Sequence, residues 1–141
     1  MRFLDANIFI YAYYKPKRTL TEKEAATKEE AKKIISNISN GEEKVLTTVV
    51  HISEVVNILK YGLPRDNLTS TMLGLFMMDN VIILGITKDQ YFAAIAIGDD
   101  LKLEPNDALA VDAMRQNGIT EIYSFDDHFN KISGITRLPK L

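Results

Sequence analysis

Apolar and polar residues follow two different periods along the chain, one typical of buried strands and one typical of helices. Short apolar runs predict four strands, at Arg2–Leu4, Val45–Thr48, Val81–Leu84 and Glu121–Tyr123. Between the strands, apolar residues recur every three or four positions, which predicts helices. Because strands that alternate with helices form parallel sheets covered on both faces, we predict a three-layer α/β/α domain with a central, mainly parallel sheet.

The predicted helices begin and end at ordinary helix signals. Asn40-Gly41 ends a long polar helix, and Pro105 suits the first turn of a later one. The helices are predicted at about 7–14, 21–38, 51–61, 66–78, 88–101 and 105–118, and a short helix at Ser124. In the helix at 88–101 the expected apolar face consists of Tyr91, Phe92, Ile95 and Ala96.

Composition limits the class of protein. A chain of 141 residues with 46% hydrophobic and 26% charged residues is typical of one soluble globular domain, here residues 1–141. No apolar run approaches the roughly 18 residues that a membrane-spanning helix needs, so we expect a cytoplasmic protein without membrane contact. The absence of cysteine excludes disulfides, thiolate zinc sites and cysteine nucleophiles.

Four acidic residues stand where an apolar run gives way to a helix, and they are Asp5, Glu54, Asp107 and Asp126. Ligands of parallel sheets bind at the carboxyl ends of the strands, where these side chains are expected to converge. Converging carboxylates repel one another unless cations lie between them, which favours a site for Mg²⁺ or Mn²⁺. Zinc is less expected, because the chain offers only two histidines and no thiolate.

Each acid also has a simpler structural explanation. Asp5 can cap the helix that follows it, and Asp107 can complement the positive end of its own helix. A buried ion pair with a distant basic residue can account for Glu54. Against these explanations, Glu54 shares a helix stripe with Val50 and Ile58, and Asp107 shares one with Ala110, Val111 and Met114.

The fourth acid has two candidates, because Asp126 and Asp127 are adjacent. Ser124 followed three residues later by Asp127 fits the start of a helix. We therefore expect Asp127 to stabilise the start of this helix and Asp126 to belong to the acidic site.

The distribution of charge leaves a polyanionic substrate possible. The net charge is −2, but residues 1–40 contain eight Lys/Arg and five Asp/Glu, a net charge of +3. Lys15, Lys17 and Arg18 are the candidate contacts for phosphate groups. A solvated loop explains the same residues, and we favour that interpretation.

Four segments resemble, in order, the acidic motifs of the PIN domain, and they are FLDANIFIY, TTVVHISEVVNIL, PNDALAVDAM and IYSFDDHF. The chain is most similar to the VapC-type toxins of VapBC toxin-antitoxin pairs, over essentially its whole length. This resemblance implies a metal-dependent ribonuclease with an acidic pocket. It also implies a homodimer that acts on RNA and is inhibited by a small antitoxin protein.

By the same resemblance, Asp5, Glu54, Asp107 and Asp126 match the four catalytic, metal-binding acids. Asn7 and Ser124 match small polar positions that accompany the first and last motifs. We expect the aspartates to bind one or two Mg²⁺ or Mn²⁺ ions, with Glu54 a further ligand or a base that orients water. Attack by water on the phosphodiester then leaves a 5′-phosphate.

Other classes of function remain open. An aspartyl phosphatase would also place an acid at position 5, but such folds usually carry a second acid where this chain has Asn7. A receiver domain would need a central phosphorylatable aspartate and a late lysine, and neither is evident. A non-catalytic RNA- or protein-binding module and an RNA-processing nuclease that is not a toxin stay as alternatives. The apolar stretch 72–78 suggests either an oligomer or ordinary core packing.

Overall fold

The computed structural model describes residues 1–140, which form a five-stranded sheet and six α-helices. The strands are β1 (Arg2–Leu4), β2 (Val45–Thr48), β3 (Val81–Leu84), β4 (Glu121–Tyr123) and β5 (Thr136–Leu138). The helices are α1 (Ala6–Tyr13), α2 (Glu22–Ser39), α3 (Val49–Leu59), α4 (Arg65–Phe76), α5 (Lys88–Leu101) and α6 (Pro105–Gln116). A 3₁₀ helix covers Asp127–Lys131.

The sheet is parallel throughout, in the order β3-β2-β1-β4-β5. The chain builds the sheet from β1 outwards through β2 and β3, and then crosses back to place β4 on the other side of β1. This reversal creates a crevice at the carboxyl ends of β1 and β4, where ligands of parallel sheets bind. The predicted α/β fold is confirmed, and the four predicted strands have the predicted bounds.

The alternation of side chains along the strands supplies two separate cores. Leu4, Val45 and Tyr123 pack on one face of the sheet against α1, α2, α3 and α4. Phe3, Leu46 and Ile122 point to the other face and pack against α6 and the 3₁₀ helix. The sheet is therefore covered on both faces, as a parallel sheet requires.

The prediction for α5 was wrong about which residues are buried. Phe92 is 75% exposed and Ile95 47% exposed, whereas the buried positions of this helix are Ala94 and Gly98. A Cβ atom at Gly98 would lie only 2.8 Å from the carbonyl oxygen of Leu103 and 3.1 Å from the Cβ of Ala108. The helix packs through its small residues because α6 approaches it so closely.

The end of the chain also differs from the prediction. The short helix begins at Asp127 rather than at Ser124, and Asp126 caps it by accepting a hydrogen bond from the backbone N–H of His128 at 2.9 Å. The strand β5 was missed because its residues are exposed or half-buried and lack an apolar run. Ser124 instead pairs with β5, donating its N–H to the carbonyl of Leu138 at 2.9 Å.

Within residues 1–140, no helix combines the length and the apolar character needed to cross a bilayer.

Candidate metal centre

Asp5 follows β1 directly and lies at the crevice between β1 and β4. Its backbone N–H donates to the carbonyl of Tyr123 at 3.0 Å, which ties the end of β1 to β4. One carboxylate oxygen accepts from the N–H of Ala6 at 2.8 Å, and the other accepts from the Ser124 hydroxyl at 2.6 Å. Asp5 is thus the cap of α1, as its structural explanation predicts, and it is also the most deeply buried acid of the crevice, only 4% exposed.

Ser124 and Asn7 position the turn that carries Asp126. The Ser124 hydroxyl accepts from the N–H of Asp126 at 3.0 Å, and Asn7 donates to the same oxygen at 3.4 Å. The side-chain oxygen of Asn7 accepts from the N–H of Phe125 at 3.2 Å. These contacts hold the residues after β4 against those after β1, so Asp126 faces the same crevice as Asp5.

Asp107, Asp126 and His128 form the tightest group of possible metal ligands among residues 1–140. One ligand atom from each lies within 4.8 Å of the other two. The Nδ1 atom of His128 is 3.0 Å from Asp126 Oδ1 and 3.7 Å from Asp107 Oδ2. Neighbouring ligands of a six-coordinate ion, each about 2.1 Å from it, lie about 3 Å apart, so the donor atoms and their spacing fit a divalent cation.

The electrostatics of the crevice disfavour bare negative charge. Burial, reinforced by the charges of Asp5 and Asp126, raises the pKa of Asp107 to about 7. Burial also raises the pKa of Asp5 to about 6, against the opposing effect of its hydrogen bonds from Ser124 and Ala6. A divalent cation bound between these groups would stabilise their charged forms and so lower both pKa values.

Glu54 lies in α3 at the side of this group and is half-buried. Its Oε1 accepts from the side-chain amide of Asn106 at 2.7 Å, and its charge contributes to the raised pKa of Asp107. The expected burial of its helix stripe holds only in part, because Val50 is half-buried and Ile58 is 42% exposed. The structure therefore brings Asp107 and Asp126 into one group of possible ligands. Asp5 and Glu54 lie outside that group, but their charges raise the pKa of Asp107.

Asn106 connects Glu54 to three helices. Its side-chain oxygen accepts from the Tyr91 hydroxyl at 2.5 Å, and its backbone carbonyl accepts from Nε2 of His51 at 3.1 Å. Nδ1 of His51 then accepts from the Thr48 hydroxyl at 2.7 Å, and burial lowers the pKa of this histidine to about 4. His51 is accordingly a neutral structural residue that joins the first turns of α3 and α6.

Asp127 stands apart from the crevice. Its side chain is 89% exposed, and one oxygen lies 3.5 Å from Nη2 of Arg137. Of the two adjacent aspartates, Asp126 is the one whose carboxylate joins the group, which agrees in placement with the sequence-based assignment.

The candidate phosphate contacts fall into two kinds. Arg18 forms a two-point contact with Glu24, at 2.9 and 2.5 Å, and this contact lowers the pKa of Glu24 to about 2. Lys15 and Lys17 are exposed, and neither forms an ion pair within the described residues. Arg18 is therefore engaged within the protein, whereas the two lysines are available to a ligand.

A family model described as the PIN domain matches residues 2–135. The chain belongs to the PIN-domain family. No curated protein sequence matches this PIN domain.

Two solved structures resemble this PIN domain over most of its length. A chain of a toxin-antitoxin complex from Klebsiella pneumoniae superposes with a TM-score of 0.66 at 17% identity, covering 96% of each chain. VapC20 of Mycobacterium tuberculosis, described as a toxin that cleaves the sarcin-ricin loop, superposes with a TM-score of 0.63 at 20% identity. That match covers 89% of this chain and 90% of VapC20. At these identities the similarity establishes the fold.

Two residues of the site were not identified from the sequence. His128 was not proposed as a ligand, although it follows Asp126 by only two residues. Asn106 directly precedes Asp107, but no pattern in the sequence indicates that it contacts Glu54.

Proposed function

We propose that this PIN domain is a divalent-metal-dependent endoribonuclease and the toxin of a toxin-antitoxin pair. The observation that carries the proposal is the convergence of Asp5, Asp107 and Asp126 from three separate segments on the crevice between β1 and β4. Mutually repelling carboxyl groups in a crevice are costly for stability, and a cation-dependent reaction is a reason for keeping them. The resemblance to a toxin described as cleaving RNA supports RNA as the substrate.

In this proposal Asp107 and Asp126 bind the cation, Mg²⁺ or Mn²⁺, and Asp5 adds negative charge from behind them. When bound, such an ion acidifies water and stabilises negative charge on the phosphate oxygens. Asp5 keeps its orientation because Ala6 and Ser124 occupy both of its oxygens. This arrangement holds the site rigid before substrate arrives, which is what catalysis at a metal centre requires.

Glu54 acts in the proposal as the residue that orients the attacking water. Asn106 donates a hydrogen bond to its Oε1 atom, and in the proposal the other carboxylate oxygen accepts a hydrogen bond from water. The Tyr91 hydroxyl in turn fixes the amide of Asn106. Water as the nucleophile predicts products that carry a 5′-phosphate.

The toxin assignment implies a protein partner and a place of action. A small antitoxin is the proposed inhibitor, supported by the structural similarity to a chain of a toxin-antitoxin complex. We propose that the protein acts on RNA in the cytoplasm. A short neighbouring reading frame whose product binds this chain and blocks cleavage would distinguish a toxin from an RNA-processing nuclease.

The first test compares cleavage of a structured RNA by the wild type and by Asp5→Asn, in Mn²⁺ and in EDTA. We expect cleavage by the wild type only with the metal, and a loss of about 100-fold or more in the variant, because one ligand-side charge is removed. Asparagine can still accept the hydrogen bond from Ala6, so the fold should persist by circular dichroism.

The matched control is Asp66→Asn, which removes an exposed acid from the first turn of α4 outside the site. This variant should retain the wild-type rate. Full activity of Asp5→Asn, or equal cleavage in EDTA, contradicts the proposed function. RNA binding without turnover under every condition would support a non-catalytic module instead.

We also propose that the protein is a homodimer. The stretch 72–78 carries more apolar residues than one face buries, since Leu73 is 60%, Phe76 53% and Met77 81% exposed. A second copy packing on this face would remove these side chains from water.

Light scattering is expected to give twice the monomer mass for the wild type and the monomer mass for Leu73→Asp. Phe92→Asp is the comparison, because Phe92 is an exposed apolar residue on a different helix, α5. If the Leu73→Asp variant remains a dimer and the Phe92→Asp variant is a monomer, the interface lies on α5 instead. A monomeric wild type would exclude the homodimer.

A further inference from the structure

His128 is the only described residue with a nitrogen donor in the tight group of ligand atoms, together with Asp107 and Asp126. Its Nδ1 atom points at both carboxylates, 3.0 Å from Asp126 Oδ1 and 3.7 Å from Asp107 Oδ2. Its ring is 57% exposed, so no packing against neighbours forces this orientation.

The local backbone brings the imidazole to this position. Asp126 caps the 3₁₀ helix by accepting from the N–H of His128, and Phe129 anchors the same turn in the core, where it is fully buried. One turn of backbone therefore places the carboxylate and the imidazole next to each other. The other histidine cannot serve, because both ring nitrogens of His51 are engaged with Thr48 and Asn106.

We propose that His128 is a direct nitrogen ligand of the cation bound by Asp107 and Asp126, and that it makes the site selective for Mn²⁺ over Mg²⁺. The inference rests on the proposed metal-dependent function and concerns which ion the site takes. Mg²⁺ takes oxygen ligands, whereas Mn²⁺ is the first member of the divalent transition-metal series whose affinity for sites with nitrogen donors rises from Mn²⁺ to Cu²⁺. A site of two carboxylates and one imidazole therefore gains more affinity for Mn²⁺ than for Mg²⁺ from the nitrogen.

The competing explanation is that the imidazole of His128 pairs with Asp126 and does not bind the ion. The two explanations differ in whether a histidine nitrogen is bonded to the ion. Pulsed electron paramagnetic resonance of Mn²⁺ added to the wild-type protein detects nitrogen bound directly to the ion. We expect a ¹⁴N coupling that changes to a ¹⁵N coupling when the histidines are labelled with ¹⁵N. Since the chain has only two histidines and His51 is buried, the labelled signal reports on His128.

The variant is His128→Gln, which keeps a side chain able to hydrogen-bond with Asp126 and removes the imidazole. We expect the histidine coupling to disappear, Mn²⁺ to bind about tenfold or more weakly, and Mg²⁺ affinity, measured by competition, to change less than about threefold. The matched control is Asp127→Asn, a change in the adjacent exposed residue, which should leave the coupling and both affinities as in the wild type.

The outcomes separate this inference from the proposed function. Mn²⁺ that binds the wild type without a histidine coupling, or with equal affinity in His128→Gln, overturns the nitrogen ligand and leaves the carboxylate site in place. Mn²⁺ and Mg²⁺ that both fail to bind the wild type at millimolar concentration overturn the metal site itself, and the proposed function with it.

Discussion

Replacing Asp107 with asparagine is expected to abolish RNA cleavage and at the same time to stabilise the metal-free protein. Asp107 supplies an oxygen to the proposed ligand group. Its replacement should lower the rate of RNA cleavage by more than about 100-fold, because replacing a residue that only supports a ligand typically costs about 10- to 100-fold. The carboxylate of Asp107 is also repelled by Asp5 and Asp126 in a partly buried site. Asparagine removes that repulsion, so the melting temperature in EDTA should rise by a few degrees.

The raised pKa of Asp107 determines how the stability of the metal-free protein changes with pH. The pKa of Asp107 is raised from 3.8 to about 7 in the folded protein, so folding favours the protonated carboxyl. This contribution to stability is present in full below the unfolded pKa and is lost as pH rises through the folded value. Between about pH 4 and about pH 7, Asp107 and Asp5 should therefore lower the stability of the metal-free wild type, whereas His51, with its lowered pKa, acts in the opposite direction. The net loss should be smaller in Asp107→Asn, where only Asp5 and His51 still contribute.

Thermal unfolding in EDTA across this pH range, followed by circular dichroism, measures the effect. The control is Asp112→Asn, which removes a negative charge from the same helix at a position hydrogen-bonded to Gln116. This control should cleave RNA at the wild-type rate and show the wild-type pH profile. An Asp107→Asn variant that remains active, or that is less stable than the wild type in EDTA, argues against the crowded carboxylate site.

Adding a divalent cation to metal-free protein is expected to raise its melting temperature by several degrees. An ion present at about 100 times its dissociation constant stabilises the folded state by about 2.7 kcal/mol, provided that the unfolded chain does not bind it. For a domain of this size each kcal/mol raises the melting temperature by about 2–4 °C. The increase should be largest above about pH 7, where the bound ion neutralises carboxylates that otherwise repel one another.

Two adjacent variants make this measurement specific. Asp126→Asn should lose most of the thermal shift, because it removes an oxygen next to Asp107 and His128. Asp127→Asn should keep the shift, because that side chain is exposed and lies beside Arg137. The reverse result would make Asp127 the fourth acid, and an equal shift in both variants and the wild type would indicate ions bound elsewhere.

Much of the fold could be predicted from the sequence, because the signals for these strands and helices lie within the segments themselves. The strands β2 and β3 are short apolar runs, and α5 has the predicted bounds because the capping box of Thr87 and Gln90 sets its start. The strand β5 carried no such signal, since its pairing with β4 depends on where the chain returns to the sheet. The buried side of α5 was also missed, because a glycine contact with α6 decided it.

For the candidate site, the chain alone indicated which acids to consider, since Asp5 and Asp126 follow strands. Asp107 lies in the first turn of α6, and Glu54 lies in the helix that follows β2. The chain alone did not indicate their partners. The contacts of Asn106 with Glu54 and of Ser124 with Asp5 join residues that are 52 and 119 positions apart. The hydrophobic pattern of the sequence gives no information about contacts over such separations. The position of His128 relative to the carboxylates was likewise set by the turn of the 3₁₀ helix.

The amino-acid sequence by itself determined the strands β1 to β4, the six helices and the parallel α/β architecture, and it indicated which acids to consider at one edge of the sheet. These follow from hydrophobic periodicity and helix capping, which act between residues close in the chain. Only the tertiary structure decided that Asp126 itself caps the 3₁₀ helix, that Asn106 binds the carboxylate of Glu54, and that an imidazole joins Asp107 and Asp126. Those outcomes depend on distances between remote segments, which packing sets after the local elements have formed.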